Sequence, residues 1–223
     1  MNSFNGFSKE FTDFLFTLQF RNTMELLPEN KEDYKKFISN PLTLLFYSLI
    51  PTALSVSDTL VTKPSKCVSS MYTHMRFSRA TPLKEYMYIR FREPSRNDNI
   101  LGLYFDMGYQ HYSYGIRIYK QTSAGMEQIR ESILKNKRLF TKELSGLNSL
   151  DMTIRGDKYV KDRYPGENCE LLKELLNSRN FYIGRDCPIG ESVFNGAIKD
   201  EIAGAYVGLK DVYSLLKKAL YGN

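Results

Sequence analysis

The sequence contains no tryptophan, only two histidines and only three cysteines among its 223 residues. The cysteines are far apart and form no C-x-x-C pair, so the sequence indicates neither a disulfide framework nor a thiol-ligated zinc site. The two histidines have no close grouping of Asp, Glu or Cys, and therefore no metal site and no cofactor is predicted. Widely spaced cysteines of odd number are typical of reduced thiols, which predicts a cytoplasmic protein.

The sequence also lacks the motifs that identify a reaction. No Walker motif, dinucleotide fingerprint, nucleophile elbow or kinase signature occurs. No apolar run reaches the roughly 18 to 20 residues that span a bilayer. The longest candidate, residues 41–60, is interrupted by Pro51. No membrane segment is therefore predicted, and no pattern indicates a particular oligomeric state.

The chain carries a modest positive charge and many aromatic rings. Its formal net charge is +6 and its isoelectric point is about 9.0. This balance permits the binding of nucleic acid or another anion without requiring it. The aromatic residues are 16 Tyr and 14 Phe. Tyrosine-rich surfaces can stack on bases or line small-molecule pockets, although the same residues also fill protein cores.

Hydrophobic periodicity divides the chain into three parts. Residues 1–60 and residues 124–223 carry apolar residues mainly at helical spacing, whereas residues 67–120 alternate with a period of two. The strand-like segments are residues 87–92, 101–107 and 112–120. Their short connections favour antiparallel neighbours. The sequence therefore predicts a single α+β domain over residues 1–223, with a central, mainly antiparallel sheet and N-terminal and C-terminal helices packed on it.

Proline, asparagine and glycine set the predicted helix boundaries. Asn40-Pro41 predicts a helix start, and the helix that follows runs from residue 42 to about residue 54, where Pro51 kinks or ends it. A single last helix is predicted over about residues 196–220. Gly204 and Gly208 in that helix indicate close packing against a neighbouring element.

The order of several short motifs is similar to that of a known family. The motifs are Phe20-Arg21-Asn22, Lys-Glu-Asp-Tyr at residues 31–34, Asn40-Pro41, Met-Tyr-x-x-x-Arg-Phe-Ser at residues 71–78, Thr81-Pro82-x-Lys84 and Tyr-Pro-Gly at residues 164–166. In this order they resemble the conserved hypothetical proteins of domain of unknown function 2461, over about residues 7–220. The resemblance supports the predicted fold but implies no reaction, because the family has none assigned.

The most specific segment of that family contains the Arg-Phe-Ser and Thr-Pro motifs. The positions that match are Tyr72, Arg76, Phe77, Ser78, Thr81, Pro82 and Lys84. Two family arginines are replaced by Ser70 and Thr73, and a family aspartate is replaced by His74. Arg76 and Lys84 are therefore the two basic matches for which the resemblance predicts a binding role.

The candidate site is a group of basic residues and tyrosines around the predicted sheet. The predicted ligand-binding residues are Arg76, Lys84, Tyr88, Arg90, Arg117 and Tyr119, with Arg79 and Arg92 beside them. Strand parity places Tyr88, Arg90 and Arg92 on one face, and it places Arg117 and Tyr119 on one face of their own strand. If the two faces coincide, the guanidinium groups converge. Arginine binds phosphate or carboxylate through paired, charge-assisted hydrogen bonds, so the leading hypothesis is a module that binds an anionic small molecule.

Three alternatives remain open. The same residues can be ordinary cross-strand fillers on a solvated sheet face. An enzyme acting on a phosphate- or carboxylate-bearing substrate would use His111 or His74 as its base. A nucleic-acid binder would use the basic residues and the tyrosines, and its affinity would fall steeply with salt. The acids Asp106, Asp151 and Asp157 are scattered along the chain, so no two-carboxylate site is predicted.

Overall fold

Helices precede the first three strands along the chain, and further helices alternate with the last two strands. The computed structural model describes residues 3–73, 82–94 and 97–222. Helices α1 to α5 are Lys9–Thr17, Leu26–Glu29, Lys31–Asp33, Asn40–Val56 and Pro64–Cys67, and a π-helical segment, Tyr34–Ser39, joins α3 to α4. Helices α6 to α11 are Ser123–Lys135, Lys137–Ser145, Glu170–Leu176, Glu191–Phe194, Ala197–Gly208 and Lys210–Tyr221, with a 3-10 turn at Asn148–Leu150.

The strands form an antiparallel sheet. They are β1 Met87–Arg92, β2 Ile100–Met107, β3 His111–Tyr119, β4 Thr153–Arg155 and β5 Tyr182–Pro188. Within the described residues their order is β1-β2-β3-β5-β4, and every neighbouring pair is antiparallel. The first three strands follow one another as a meander, as the short links predict. Because the chain combines helices with an antiparallel sheet, the predicted α+β class is confirmed.

One face of the sheet is apolar and packs against helices. Phe46 of α4 stacks on Phe91 of β1 with ring centroids 5.2 Å apart. Phe7, which precedes α1, lies parallel to Phe105 of β2 at 6.2 Å. Helix α10 packs against both α4 and β3. The strand residues that alternate with these apolar ones point to the opposite face, which is polar.

Helix α4 begins at Asn40, as predicted, but it continues the preceding helical turns and does not start a separate helix. Lys31–Val56 is one continuous helical segment, and Asn40 has helical backbone angles, φ −66° and ψ −51°. Pro41 has no N–H to donate, and the chain adopts a π-helical turn immediately before it. Pro51 lies inside α4 and does not end the helix.

This continuous helix is long and apolar enough to cross a bilayer by length and composition alone, with a mean hydropathy of 1.4 over its best window. No membrane segment was predicted from the sequence, because Pro51 interrupts the apolar run over residues 41–60. Leu42, Leu45 and Leu49 are nevertheless completely buried in the protein. Core helices of soluble domains have the same composition, and α4 packs as one of them.

The predicted last helix is divided into two. Helix α10 ends at Gly208 and α11 begins at Lys210, and Leu209 between them has φ −89° and ψ −2°. Gly208 lies close to another element, since a Cβ atom there would be 2.8 Å from the side chain of Leu150. The division allows α10 to pack on α4 while α11 contacts α6 and α7.

A buried carboxylate connects the end of β1 to α11 and to the loop after α4. Glu93 is 5% exposed, and its Oε1 accepts hydrogen bonds from Ser57 at 2.7 Å and from Tyr213 at 3.0 Å. Its Oε2 accepts from Thr59 at 2.5 Å, and Lys217 Nζ lies 3.2 Å from Oε1. Burial acts to raise the pKa of Glu93, but these donors together hold it below the ordinary value of 4.5.

We expect Glu93→Gln to lower the free energy of unfolding by about 2–4 kcal/mol at neutral pH, because the amide cannot accept from every donor and leaves Lys217 without its counter-charge. The folded-state pKa is lowered, so the carboxylate's contribution is fully present above pH 4.5 and is lost as the pH falls through the folded-state pKa. The free energy of unfolding, measured by urea denaturation, should therefore differ between wild type and variant by a constant amount around neutral pH. This difference should become smaller in acid.

The matched control is Glu29→Gln, which removes an exposed carboxylate that pairs with Arg21 at 2.6 Å. Exposed ion pairs contribute little to stability, so this variant should remain close to wild type at every pH. Equal losses in the two variants would contradict a structural role for the buried carboxylate.

Candidate functional site

The polar face of the sheet collects side chains from four strands. The register places Arg90 opposite Tyr104 and Tyr88 opposite Asp106. Residues that lie opposite each other in an antiparallel pair point to the same side of the sheet. The pairings of β2 with β3 and of β3 with β5 extend this face across the sheet. The face therefore carries Tyr88, Arg90, Arg92, Tyr104, Asp106, Ser113, Arg117, Tyr119, Tyr182 and Asp186. Arginines that are distant in sequence thus lie on one side of the sheet.

A concave region of about 570 Å³ lies beside β1. Its basic lining residues are Lys66, Lys84, Arg90 and Arg92, and the others are Ser65, Val68, Ser70, Tyr72, Thr73 and Tyr88. None of these lining residues is acidic. We call this region the basic cavity. Its walls carry one sign of charge, which gives it a positive potential.

Arg90 is held in the basic cavity by aromatic rings. Its guanidinium carbon lies 3.6 Å from the ring centroid of Tyr88 and 5.2 Å from that of Tyr119. These contacts fix the plane of the guanidinium group. Its Nε is buried and donates no hydrogen bond to any part of the chain that the structure describes. A buried charged donor without an acceptor is energetically costly.

Lys84 and Arg92 complete the basic cavity. Lys84 Nζ donates to the backbone carbonyls of Ser70 at 2.5 Å and Tyr72 at 2.6 Å. Burial lowers the pKa of Lys84, and the positive charge of Arg90 lowers it further. Arg92 Nη2 donates to the carbonyl of Lys66 at 2.9 Å. Backbone oxygens therefore position these cations without neutralising their charge.

A second concave region, of about 860 Å³, lies over β2, β3 and β5. Its charged or titratable lining residues are Asp106, His111, Arg117 and Asp186, and the others are Tyr86, Met107, Gly108, Tyr112, Ser113, Tyr182 and Pro188. We call it the mixed-charge cavity. It adjoins the basic cavity, because Tyr88 in one is paired directly with Asp106 in the other.

Asp106 and Arg117 form an ion pair in the mixed-charge cavity. Arg117 Nη1 donates to Asp106 Oδ2 at 3.4 Å, while Asp106 Oδ1 is buried and accepts no hydrogen bond from the described residues. Burial raises the pKa of Asp106, and the guanidinium groups of Arg90 and Arg117 oppose this rise. The positive charge of Arg117 is therefore partly neutralised, in contrast to that of Arg90.

Two tyrosine hydroxyl groups lie buried within the polar face. The hydroxyls of Tyr104 and Tyr119 have no hydrogen-bond partner among the described residues, and burial raises the pKa of both. Gly184 provides the space for the first, since a Cβ atom there would lie 2.1 Å from the Tyr104 oxygen. With Arg90 Nε and Asp106 Oδ1, these hydroxyls form a group of polar atoms without partners on β1, β2 and β3.

The structure separates the predicted ligand-binding residues into two groups. Lys84, Tyr88 and Arg90 line the basic cavity, whereas Arg117 lines the mixed-charge cavity. Tyr119 lines neither cavity and instead stacks against Arg90. The predicted site is therefore two adjoining cavities rather than one cluster of cations.

Of the remaining predicted residues, only His111 lies in the part of the chain that the structure describes. His111 is exposed and lies at the rim of the mixed-charge cavity. His74, Arg76 and Arg79 fall in residues 74–81, which lie outside the described part of the chain.

Asp106 and Asp186 belong to one site that was not predicted from the sequence. Asp106 was interpreted as one of several scattered acids and Asp186 was not considered, yet the structure brings these two carboxylates to one cavity. Strand parity could have identified the first, since Asp106 alternates with apolar residues in the same way as Arg90. Asp186 reaches the site only through the pairing of β5 with β3, which no local pattern indicates.

The acids of the mixed-charge cavity are engaged by arginines. Asp106 pairs with Arg117, and Asp186 pairs with Arg155. Among the described residues, no group of three or more His, Cys, Asp or Glu side chains could hold a metal ion. The side chains present therefore supply hydrogen bonds, charge pairs and aromatic surfaces.

We expect Arg117→Gln and Arg90→Gln each to raise the pKa of Asp106 further, because both guanidinium groups lower it. The pKa can be followed by titrating the carboxyl carbon signal by NMR. The matched control is Arg92→Gln, which removes a cation from the same face but not one that acts on Asp106. An equal rise in all three variants, or a fall in Arg117→Gln, would contradict the assigned geometry.

Comparison with known proteins identifies a family. No curated protein matches this chain. The family model described as "Conserved hypothetical protein (DUF2461)" matches residues 10–214 of the 223. This match covers most of the chain and confirms the resemblance seen in the short motifs. The chain therefore belongs to the DUF2461 family of conserved hypothetical proteins.

Proposed function

We propose that this protein binds a small anionic ligand in the basic cavity, with Arg90 as the principal contact. The observation that carries the proposal is the state of Arg90, whose guanidinium group is fixed on Tyr88 while its buried Nε has no acceptor among the described residues. A phosphate or carboxylate oxygen is the acceptor that a guanidinium group binds best, through short charge-assisted hydrogen bonds.

The charge distribution of the basic cavity supports the same proposal. Lys66, Lys84, Arg90 and Arg92 share the cavity without a carboxylate among its lining residues. Like charges at short range raise one another's free energy, and burial increases the effect. The lowered pKa of Lys84 reflects both burial and the charge of Arg90. A bound anion would relieve this repulsion, so part of its binding free energy would come from the cavity itself.

The plainer alternative is a solvated sheet face on which arginine and tyrosine are cross-strand fillers. Such a face keeps guanidinium groups in water and buries only their aliphatic stems. Arg90 differs from this pattern because its Nε is buried. Its surroundings are also concave rather than flat. Both features favour a binding role over a filling role.

We place this activity in the cytoplasm. Cys67, Cys169 and Cys187 are free thiols. Free thiols that form no disulfide are typical of proteins in a reducing compartment.

We expect Arg90→Gln to weaken the binding of inorganic phosphate, pyrophosphate or citrate by about tenfold or more, because it removes a charge-assisted hydrogen-bond donor. Isothermal titration calorimetry of each anion with wild type and variant measures the change. The amide of Gln keeps a donor but carries no charge, so the loss reports on the charge of the guanidinium group.

The matched control is Arg163→Gln. Arg163 stacks over Tyr159 at 4.4 Å, but it is exposed and lines neither cavity. The Arg163→Gln variant should bind the three anions with the affinity of the wild type. Wild-type protein that binds none of the three anions, or an Arg90→Gln variant with unchanged affinity, would refute the proposed function.

A second candidate is an enzyme that acts on a phosphate- or carboxylate-bearing substrate with His111 as its base. One observation favours it, namely that His111 lines the cavity that also contains Arg117 and Asp106. Exposure at the rim leaves the imidazole free to reach a substrate.

If His111 is a general base, His111→Asn should reduce the release of inorganic phosphate from small phosphate esters by about 10²–10⁴-fold while the affinity for phosphate is kept. A colorimetric assay for phosphate measures this release. Absence of turnover in the wild type, or equal turnover in the variant, would refute the enzyme hypothesis and leave the binding proposal intact.

A further inference from the structure

The basic cavity and the mixed-charge cavity adjoin each other across β1 and β2. Arg90 and Asp106 lie diagonally across β1 and β2, a relation that separates such residues by about 7–8 Å. Each of the two residues has a polar atom without a partner among the described residues, Arg90 Nε and Asp106 Oδ1. Arg90 Nε, a donor without an acceptor, and Asp106 Oδ1, an acceptor without a donor, therefore belong to neighbouring side chains.

The two cavities offer complementary chemistry. The charged groups of the basic cavity are all hydrogen-bond donors, whereas the mixed-charge cavity presents the carboxylates of Asp106 and Asp186. Ionised carboxylates accept hydrogen bonds from hydroxyl groups and repel other anions. Tyr86 and Tyr182 add aromatic rings to the same cavity. This combination suits an uncharged, hydroxyl-bearing body with apolar C–H faces.

We propose that the ligand is a polyhydroxylated compound that carries one anionic group, that is, a sugar or polyol bearing a phosphate or a carboxylate. The inference rests on the proposed function, because the anionic group occupies the basic cavity and contacts Arg90. The hydroxyl groups extend over β2 and donate to Asp106. A ligand with anionic groups at both ends is disfavoured, because its second charge would face Asp106 and Asp186.

Asp106 is the residue that determines this specificity. Its side chain is 18% exposed. Because Oδ1 is buried, the oxygen that faces a ligand is Oδ2, which Arg117 contacts at 3.4 Å and which can accept a second hydrogen bond. Asp186 is less available because Arg155 pairs with it at the edge of the cavity. A ligand hydroxyl would therefore find its strongest acceptor at Asp106, next to the guanidinium group that holds the anion.

The test compares four probes by isothermal titration calorimetry. They are inorganic phosphate, glucose, glucose 6-phosphate and glucuronate. We expect glucose 6-phosphate, glucuronate or both to bind wild type about tenfold or more tightly than inorganic phosphate, because hydroxyl contacts add to the contact of the anion. Which of the two binds more tightly identifies the anionic group that the basic cavity prefers.

Variants test which residues are responsible for the tighter binding of the hydroxylated anions. Asp106→Ala should lose most of the preference for the hydroxylated anion and should bind inorganic phosphate at least as tightly as wild type, because a negative charge has been removed. Arg90→Gln should weaken the binding of phosphate and of the hydroxylated anion together. The control is Asp200→Ala, which removes an aspartate that is 77% exposed on α10 and lines neither cavity; it should keep the wild-type preference.

The outcomes distinguish this inference from the proposed function. If no anion binds wild type, both fail. If phosphate binds through Arg90 but the hydroxylated anions bind no more tightly, or if Asp106→Ala keeps the full preference, only the present inference fails. If Asp106→Ala does not fold, as judged by circular dichroism, Asp106→Asn decides the question. Its amide accepts hydrogen bonds more weakly, so the preference should still fall.

Discussion

The antiparallel register of β1, β2 and β3 determines where every charged side chain of the sheet lies. Alternate residues point to opposite faces, so a shift of one residue would move Arg90 into the core and Phe91 to the surface. Phe91 is completely buried and stacks on Phe46 at 5.2 Å, and exposing it would be costly. The packing of the apolar face thus fixes the geometry of the polar face. The site therefore depends on the core, and Met107 and Tyr112 belong to both.

Glycines in the middle of the sheet make the polar face deep enough for large side chains. Gly115 has φ 152°, and a Cβ atom there would lie 2.0 Å from the carbonyl oxygen of Ile183 in the neighbouring strand. Gly184 lies opposite Gly115, and its lack of a side chain accommodates the hydroxyl of Tyr104. These positions allow β3 and β5 to approach closely, and they allow a buried tyrosine to fill the centre of the face.

The sequence predicted the strands that local alternation marks, and it failed where pairing of distant segments or burial in the core determined the structure. Alternation identified β1 to β3, but the placement of β5 between β3 and β4 depends on pairing between distant segments. Asn40-Pro41 gave a strong local signal for a helix start, yet a π-helical turn let the helix continue because its apolar side is buried in the core. Strand parity placed Arg90 and Arg117 each on one face of its own strand, but only the register shows that the two faces coincide. Parity also could not show that Asp106 pairs with Arg117 alone.

The site is polarised because Arg117 has a carboxylate partner, whereas Arg90 has none among the described residues. Arg117 lies beside Asp106, and further along the face Asp186 pairs with Arg155, so charges over β2 to β5 are largely compensated. Arg90 lies closer to the edge of the sheet, where the neighbouring cations are bound to backbone carbonyls that do not neutralise them. Positive potential is therefore concentrated over β1. A ligand with one charged end and one polar, uncharged end has a single favourable orientation on such a surface, and the sheet register sets that orientation.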